Sequence, residues 1–495
     1  MLPRYWGPAD RPSGKFSDID AETLSYLKGL GISAIWYTGI IRHATSLTED
    51  PLIVKGDAGS PYAITDYYDV NPYLADNPDS RFKEFISLVE RTHRAGLKVI
   101  IDFVPNHVSR AYHGTSSPKG TEPLGAGDNT SLHWSPDNDF FYYPGLHLHL
   151  PNDPEGRYIE FPARASGNRF SAFPDVNDWY ETVRLNYCDF HTRTWDKMYD
   201  IVRFWTVLGI DGFRCDMVEM VPPQFFKWLI RRIKAEFPKI TFIAEVYQAD
   251  RYHEFIEDVG FDILYDKSGL YDTLRAVTSN RASAECITWC WQSLGRLQPR
   301  MLNFLENHDE QRIASDFFAG SASGGYAALA VSLLLNKAPF MLYAGQELGE
   351  SGMDNEPFSG LNGRTTIFDW WRVDSLSRLW NTIHNLDEGL SECESSILLK
   401  YKTILSTAIS EPAFSSGKTF DLCYCQPISF DRKNVFVWLR SDGVKTFIIA
   451  SNFSDSEVFF EITIPKEAAL YLGTQLPASC TIRIPAKDYS IVRLS

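Results

Sequence analysis

At 495 residues, 44% hydrophobic and 22% charged, the chain is too long for one ordinary domain and too apolar to remain disordered. Its formal net charge of −15 comes without a basic stripe that could neutralise phosphates, which argues against nucleic acid or an anionic membrane surface as a partner. No run of roughly 18 apolar residues marks a membrane span. The opening MLPRYWGPADRPSGKF lacks the basic start and apolar stretch of a signal peptide, so a cytoplasmic protein is the default expectation. A secreted or periplasmic origin stays open if the sequence is a processed mature form.

Taken in chain order, a first strand is expected around Arg4 to Trp6. A helix-like stretch, DAETLSYLKGLG, separates it from the apolar run SAIWYT (33–38). RFKEFISLVERTHRAGL reads as a second helix, and KVIIDFVPNH (98–107) as the next strand. GIDGFRCD (209–216), ITFIAEVY (240–247), FDILYD (261–266), MLNFLENHD (301–309) and PFMLYAG (339–345) complete a set of eight. Strands alternating with helices predict βαβ units and a parallel sheet, and eight such units favour a closed (β/α)8 TIM barrel.

The spacings add detail. Asp216 and Glu245 lie 29 residues apart, about one β/α unit, and Glu245 and Asp309 lie 64 apart, about two. Asp102 and Asp216 are separated by 114 residues, far more than one unit. The excess is rich in Gly, Pro, Asn and aromatics and reads as a small domain, 109–186, inserted after the third strand. The barrel would then comprise 1–108 and 187–415. From 416 to 495, NVFVWLR, KTFIIASNF, EVFFEITIP and YSIVRLS follow one another without helices between them, predicting a C-terminal antiparallel β-sandwich domain.

Eight cysteines in so long a chain do not make a disulfide scaffold. Cys286 and Cys290 would share a helix face and Cys423 and Cys425 a strand face. Neither pair has a histidine close enough for a zinc pattern, so all read as buried free thiols. His147 and His149 alternate in the inserted segment without a third ligand and read as packing residues.

Acidic residues close four of the apolar runs: Asp102, Asp216, Glu245 and Asp309. In a barrel these strand ends converge on one rim, where like charges repel, so four acids placed there for structure alone are unexpected. Arg214 and Asp216 sit two apart on a strand and point to one face. The guanidinium would favour an ionised Asp216, suited to nucleophilic attack. Glu245 follows Phe242, Ile243 and Ala244, an apolar setting that would raise its pKa and suit it to act as a general acid. Two carboxyls with divided roles are the chemistry of glycoside cleavage.

The same stretches carry a family resemblance. DFVPNH, GFRCDMVE, IAEV and FLENHD resemble, in order and spacing, four short regions of the α-amylase family of glycoside hydrolases (family 13 type). AFPDVN (172–177) and GSPYAITDYYDVNP (59–72) are similar to two further regions, so the likeness covers nearly the whole chain. It implies a retaining hydrolase of α-1,4-glucosidic bonds in starch or malto-oligosaccharides, working through a covalent glycosyl-enzyme intermediate. A transglycosylase or α-glucosidase of the same fold is the alternative, and an inactive sugar-binding scaffold a more remote one. By resemblance Asp216 is the nucleophile, Glu245 the acid/base and Asp309 the transition-state stabiliser. His107, Arg214 and His308 match supporting residues around the sugar being cleaved, Asp102 matches an orienting carboxylate, and Tyr62 matches the aromatic platform beneath the ring. The implied partner is an α-glucan, and no organic cofactor is implied.

The sequence also departs from the family. Many relatives carry Lys-His three and four residues after the nucleophile, where this chain has Glu219 and Met220. The missing lysine removes a common contact to the leaving-group sugar. In the family that histidine's backbone carbonyl often helps hold a structural calcium, together with an Asn and an Asp matched here by Asn106 and Asp175. Hard oxygen donors of this kind suit calcium.

Overall fold

Seven short runs of β-branched and aromatic residues pair into one parallel sheet. The strands are β1 (Ala34–Tyr37), β2 (Lys98–Phe103), β3 (Gly212–Cys215), β4 (Thr241–Ala244), β5 (Ile263–Tyr265), β6 (Met301–Phe304) and β7 (Phe340–Met341). Each lies beside the next in chain order, and every pairing is parallel. Sequential parallel neighbours joined by helices are the connectivity of a TIM barrel. The computed structural model describes residues 1–495.

The outer helices follow their sequence patterns. In α1 (Ala21–Gly29) the side chain of Asp20 caps the first turn by accepting from Thr23 N at 3.0 Å. In α2 (Arg81–Arg94) Phe85, Leu88, Val89 and Thr92 form the buried stripe, a spacing of three and four residues that puts them on one face. α3 (Arg193–Val207) and α4 (Pro223–Glu236) bury similar stripes, and Pro223 opens α4 where its missing N–H costs nothing. No helix is long and apolar enough to cross a membrane.

The expected first strand is not where the sequence placed it. Pro3–Tyr5 is a 3-10 turn rather than part of a strand. The pairing occurs at Met1, whose N donates to Trp36 O at 2.8 Å and whose O accepts from Thr38 N at 3.0 Å. These are the two bonds of a parallel neighbour, made on the edge of β1 away from β2. Pro3 ends that pairing because it has no N–H to continue the ladder.

Between β2 and α3 the chain makes two small antiparallel pairs, His107–Ser109 with Thr182–Arg184 and Tyr142–Tyr143 with Ala163–Arg164. Ile53, Leu148, Leu150, Ala163, Ala172 and Tyr180 form a separate small core there. Buried Glu160 is neutralised by Arg110 and Arg164, each at 2.8 Å.

Beyond the barrel, β8 (Lys418–Asp421), β9 (Val435–Ser441), β10 (Thr446–Asn452) and β13 (Tyr489–Arg493) form an antiparallel sheet, and β11 (Val458–Thr463) pairs with β12 (Ser479–Ile484). A helix, Lys466–Leu472, interrupts this region, contrary to the expectation of strands alone. Its residues KEAALYL are strong helix formers, and Gly473 ends it in the left-handed conformation, φ 76°. All eight cysteines are free, but only Cys188, Cys215 and Cys423 are buried; Cys286 and Cys393 are exposed and Cys290, Cys425 and Cys480 half-buried. Cys423 and Cys425 lie in a 3-10 turn rather than on a strand face.

One apolar core runs continuously from the barrel into this sheet. Arg440 fastens the two parts. It is fully buried on β9 and donates to the carbonyls of Leu334 (2.8 Å), Phe414 (2.6 Å) and Gly417 (3.3 Å). We expect Arg440→Ala, which leaves those carbonyls unpaired, to destabilise the protein by about 2–3 kcal/mol. A lowered urea midpoint with catalysis at room temperature intact is the outcome to look for, and an unchanged midpoint would refute the role given to Arg440.

Candidate active site

The strand order brings residues far apart in sequence to one end of the sheet. Arg214 is the second-last residue of β3 and Asp102 the second-last of β2, and the two are register partners. Asp216 and Glu245 are the first residues after β3 and β4, while His308 and Asp309 lie in the turn after β6. Tyr62 lies in the loop after β1.

Arg214 sits at the centre, 1% exposed. Its Nη1 donates to Asp216 Oδ1 at 2.6 Å and lies 3.8 Å from Asp102 Oδ1. Nη2 lies 2.8 Å from Glu245 Oε1, an ion contact rather than a well-directed hydrogen bond. Nε donates to Tyr265 Oη at 3.3 Å. The rings of Trp36, Tyr62 and Tyr265 surround the guanidinium carbon at 5.4, 5.4 and 5.5 Å. Such aromatic walls exclude water and strengthen every charge interaction inside them.

A second chain of contacts reaches Asp309. Tyr62 stacks on His308 with ring centres 5.3 Å apart, and its Oη is 2.6 Å from His308 Nε2 and 3.4 Å from Asp102 Oδ1. His308 Nε2 in turn lies 3.0 Å from Asp309 Oδ2. The other oxygen of Asp102, Oδ2, is buried without a partner.

Electrostatics differ between these acids. Burial pushes Asp216 up to about 7; Arg214 opposes the push and the charge of Glu245 adds to it. For Asp309 the upward push of burial is outweighed by His308, with Arg214 and Arg364 assisting, and its carboxyl is held down at about 2. The expectation that Arg214 alone keeps Asp216 ionised is therefore incomplete. One guanidinium is shared among several carboxylates, and burial raises the pKa of both Asp102 and Asp216. The apolar residues before Glu245 do not decide its surroundings either. Its carboxylate accepts from Met217 N at 2.9 Å and Tyr247 Oη at 2.8 Å, besides the contact to Arg214.

Three contributors were not read from the sequence. Tyr247 lies two residues beyond Glu245, the spacing that sets Arg214 beside Asp216, and that spacing was the available signal. Glu219, in place of the common lysine, accepts from Tyr247 N at 3.0 Å and Gln248 N at 2.9 Å. It ties the exit of β3 to that of β4. Met217 adopts φ 44°, a left-handed conformation rare outside glycine. This aims its N–H at Glu245, and strain held beside a reactive group is a mark of a functional site.

Of the remaining candidates, His107 meets this network at the backbone of Tyr62, and the expected calcium pair lies outside it. His107 is buried, packs on Trp179 with ring centres 5.1 Å apart and lies 3.2 Å from the Asn106 amide. Burial lowers its pKa to about 3, and the nearby charges of Arg184 and Lys55 add to that. Asn106 is buried, whereas Asp175 is exposed and hydrogen-bonds within its own loop. The two share no hydrogen-bond partner. One acidic and histidine group, Asp20, Glu22 and His384, gathers at the start of α1.

Comparison with known proteins agrees with this picture. The family described as "Alpha amylase, catalytic domain" matches residues 13–259. The chain is 23% identical over 427 residues to Alpha-amylase 3 of Dictyoglomus thermophilum, covering 83% of this chain and 76% of that protein. It is 26% identical over 353 residues to a cyclomaltodextrin glucanotransferase of Bacillus sp. (strain 1-1), covering 68% of this chain but only 44% of the relative. Among solved structures, an acarbose-soaked debranching enzyme of Nostoc punctiforme superposes with a TM-score of 0.69 at 18% identity, covering 100% of this chain and 97% of that one. That likeness concerns the fold. With the rim of acids, the matched catalytic-domain pattern and the shared architecture together, the chain belongs to the α-amylase family of glycoside hydrolases.

Proposed function

We propose that the protein is a retaining hydrolase of α-1,4-glucosidic bonds in starch or malto-oligosaccharides. The observation that carries this reading is the single buried guanidinium of Arg214 spanning the carboxylates of Asp216 and Glu245. Two acids on one guanidinium suit the close spacing, about 5–5.5 Å, of retaining enzymes rather than the wider gap that admits water in inverting ones. In this reading Asp216 attacks the anomeric carbon while Glu245 protonates the departing oxygen. Glu245 then takes a proton from water, which releases the sugar from Asp216. Asp309, Asp102, His107 and His308 bind hydroxyls of the same ring, and Tyr62 packs beneath it. We assign 1–108 and 187–415 to the catalytic barrel, 109–186 to the insertion and 416–495 to the β domain.

A second reading, transfer of the glucosyl unit to another sugar, draws on the likeness to glucanotransferases. The same groups perform both reactions, and the outcome depends on whether an acceptor sugar outcompetes water. Incubation with maltoheptaose separates them. Hydrolysis yields only shorter chains with the α-anomer formed first, whereas products longer than the substrate identify a transferase.

Asp216→Asn should fold and turn over at least about a thousandfold more slowly, because the route through a covalent intermediate is gone. It should also change stability with a definite sign. A carboxyl raised from 3.8 to about 7 binds more protons folded than unfolded, so the wild type loses stability as pH rises through that window. Asparagine does not titrate. The melting temperature of the variant relative to the wild type should therefore rise between pH 4 and 7 and level off above. A difference independent of pH would contradict the burial assigned to Asp216.

Glu245→Gln should slow maltotriose far more than α-glucosyl fluoride, whose leaving group needs little protonation. Added azide should restore part of the fluoride turnover by attacking the intermediate without a general base. Equal losses on both substrates, with no azide effect, would remove Glu245 from the role. Tyr247→Phe tests the newly found partner: about a tenfold loss on maltotriose is expected, with the alkaline limb of the pH profile displaced. A loss without displacement would reduce Tyr247 to a packing residue.

A further inference from the structure

Members of the α-amylase family commonly bind calcium, and the resemblance puts such an ion against the Met220 carbonyl, Asn106 and Asp175. The donors present do not fit it. Met220 O accepts from Arg184 Nη2 at 3.0 Å, and Gly167 O accepts from Arg184 Nη1 at 3.2 Å. Gly167 O also accepts from the Asn106 amide nitrogen at 2.9 Å, so that carbonyl already has two donors. One oxygen of exposed Asp175, Oδ1, accepts from Asn177 N at 3.0 Å and Asn177 Nδ2 at 3.3 Å and closes its own turn. A dication at Met220 would meet a guanidinium instead of the several oxygen ligands, carboxylates among them, that calcium collects.

The side chain of Arg184 is itself placed like a bound ion. It pairs with no carboxylate; its charge is met by two carbonyl dipoles and by the ring of Phe170, 4.8 Å from the guanidinium carbon. Its backbone is held by the strand Thr182–Arg184, where it is the register partner of His107. Leu185 N donates to Asn106 O at 2.9 Å directly beside it. Arg184 thus joins three pieces of chain: the turn carrying Met220 just after Asp216, the insertion at Gly167, and the segment leaving β2. Lys55 adds a second fixed cation nearby, 3.1 Å from Glu181 Oε2 and donating to Asp178 O at 3.2 Å.

We propose that Arg184 is the resident cation of this junction, and that the protein joins its insertion to the loop beyond Asp216 without calcium there. A covalently attached charge does not dissociate, so the joint would hold whatever the metal supply. In this role Arg184 is a positioning residue that acts through Met220.

Stability and metal response test the proposal without any substrate, so its failure is distinct from failure of the glucan-cleaving reading. The melting temperature of the wild type should agree within about 1 °C after EDTA treatment and in millimolar calcium, because a ligand bound only to the folded state would raise it. Arg184→Ser should lower the melting temperature by about 5 °C through loss of two charge-assisted hydrogen bonds. Arg184→Lys should recover most of that and stay insensitive to EDTA, which keeps the test readable if the serine variant fails to fold. Two results would overturn the proposal. One is an EDTA-induced drop in the wild type that calcium reverses and Asn106→Ala abolishes. The other is an Arg184→Ser protein that melts like the wild type.

Discussion

One buried guanidinium organises this molecule's reactive end. Arg214 has carboxylates of Asp216, Glu245 and Asp102 within 3.8 Å and three aromatic rings around its carbon. A charge so enclosed survives only with partners, and the partners survive only with it, because each alone would bear an uncompensated desolvation cost. The arrangement is nevertheless unbalanced: one positive charge faces several negative ones. The surplus falls on Asp102 and Asp216, both pushed upward by burial, Asp216 to about 7. A site poised in this way is costly to the fold, and the surrounding structure has to hold it in place.

That restraint comes from bonds between neighbouring strand exits. Glu219 takes two backbone N–H groups from the chain beyond β4, and Met217 turns back with a positive φ to give its own N–H to Glu245. Tyr247 closes the set through its hydroxyl. The place where many relatives keep a lysine that reaches the substrate is here given to an acid that reaches the protein. The exchange makes the turn after Asp216 and the loop after Glu245 one unit, so a shift in either carries the other with it.

A common choice runs through the periphery. Arg440 joins the C-terminal sheet to the barrel, and Arg184 joins the insertion to the turn after Asp216. Each satisfies backbone carbonyls that the chain leaves open where two units meet. The arginine fork supplies several donors in a fixed geometry, so one side chain answers carbonyls belonging to different segments.

Seven strands, their order and the acids at their ends were legible in the sequence, because hydrophobic period and β/α spacing are local properties that survive without knowledge of the fold. The resemblance then named the roles proposed for Asp216, Glu245 and Asp309. Where local pattern and local propensity disagreed, the sequence reading failed: Pro3 stopped a supposed strand, and KEAALYL formed a helix among strands. The division of charge was not legible at all. Tyr62 meets His308 across 246 positions, and Arg184 meets Met220 across 36. Which acid is desolvated, and which cation stands at Met220, depends on such distant neighbours. Tertiary structure alone decides these, because the energy of a charge depends on what surrounds it in space and not on what precedes it in the chain.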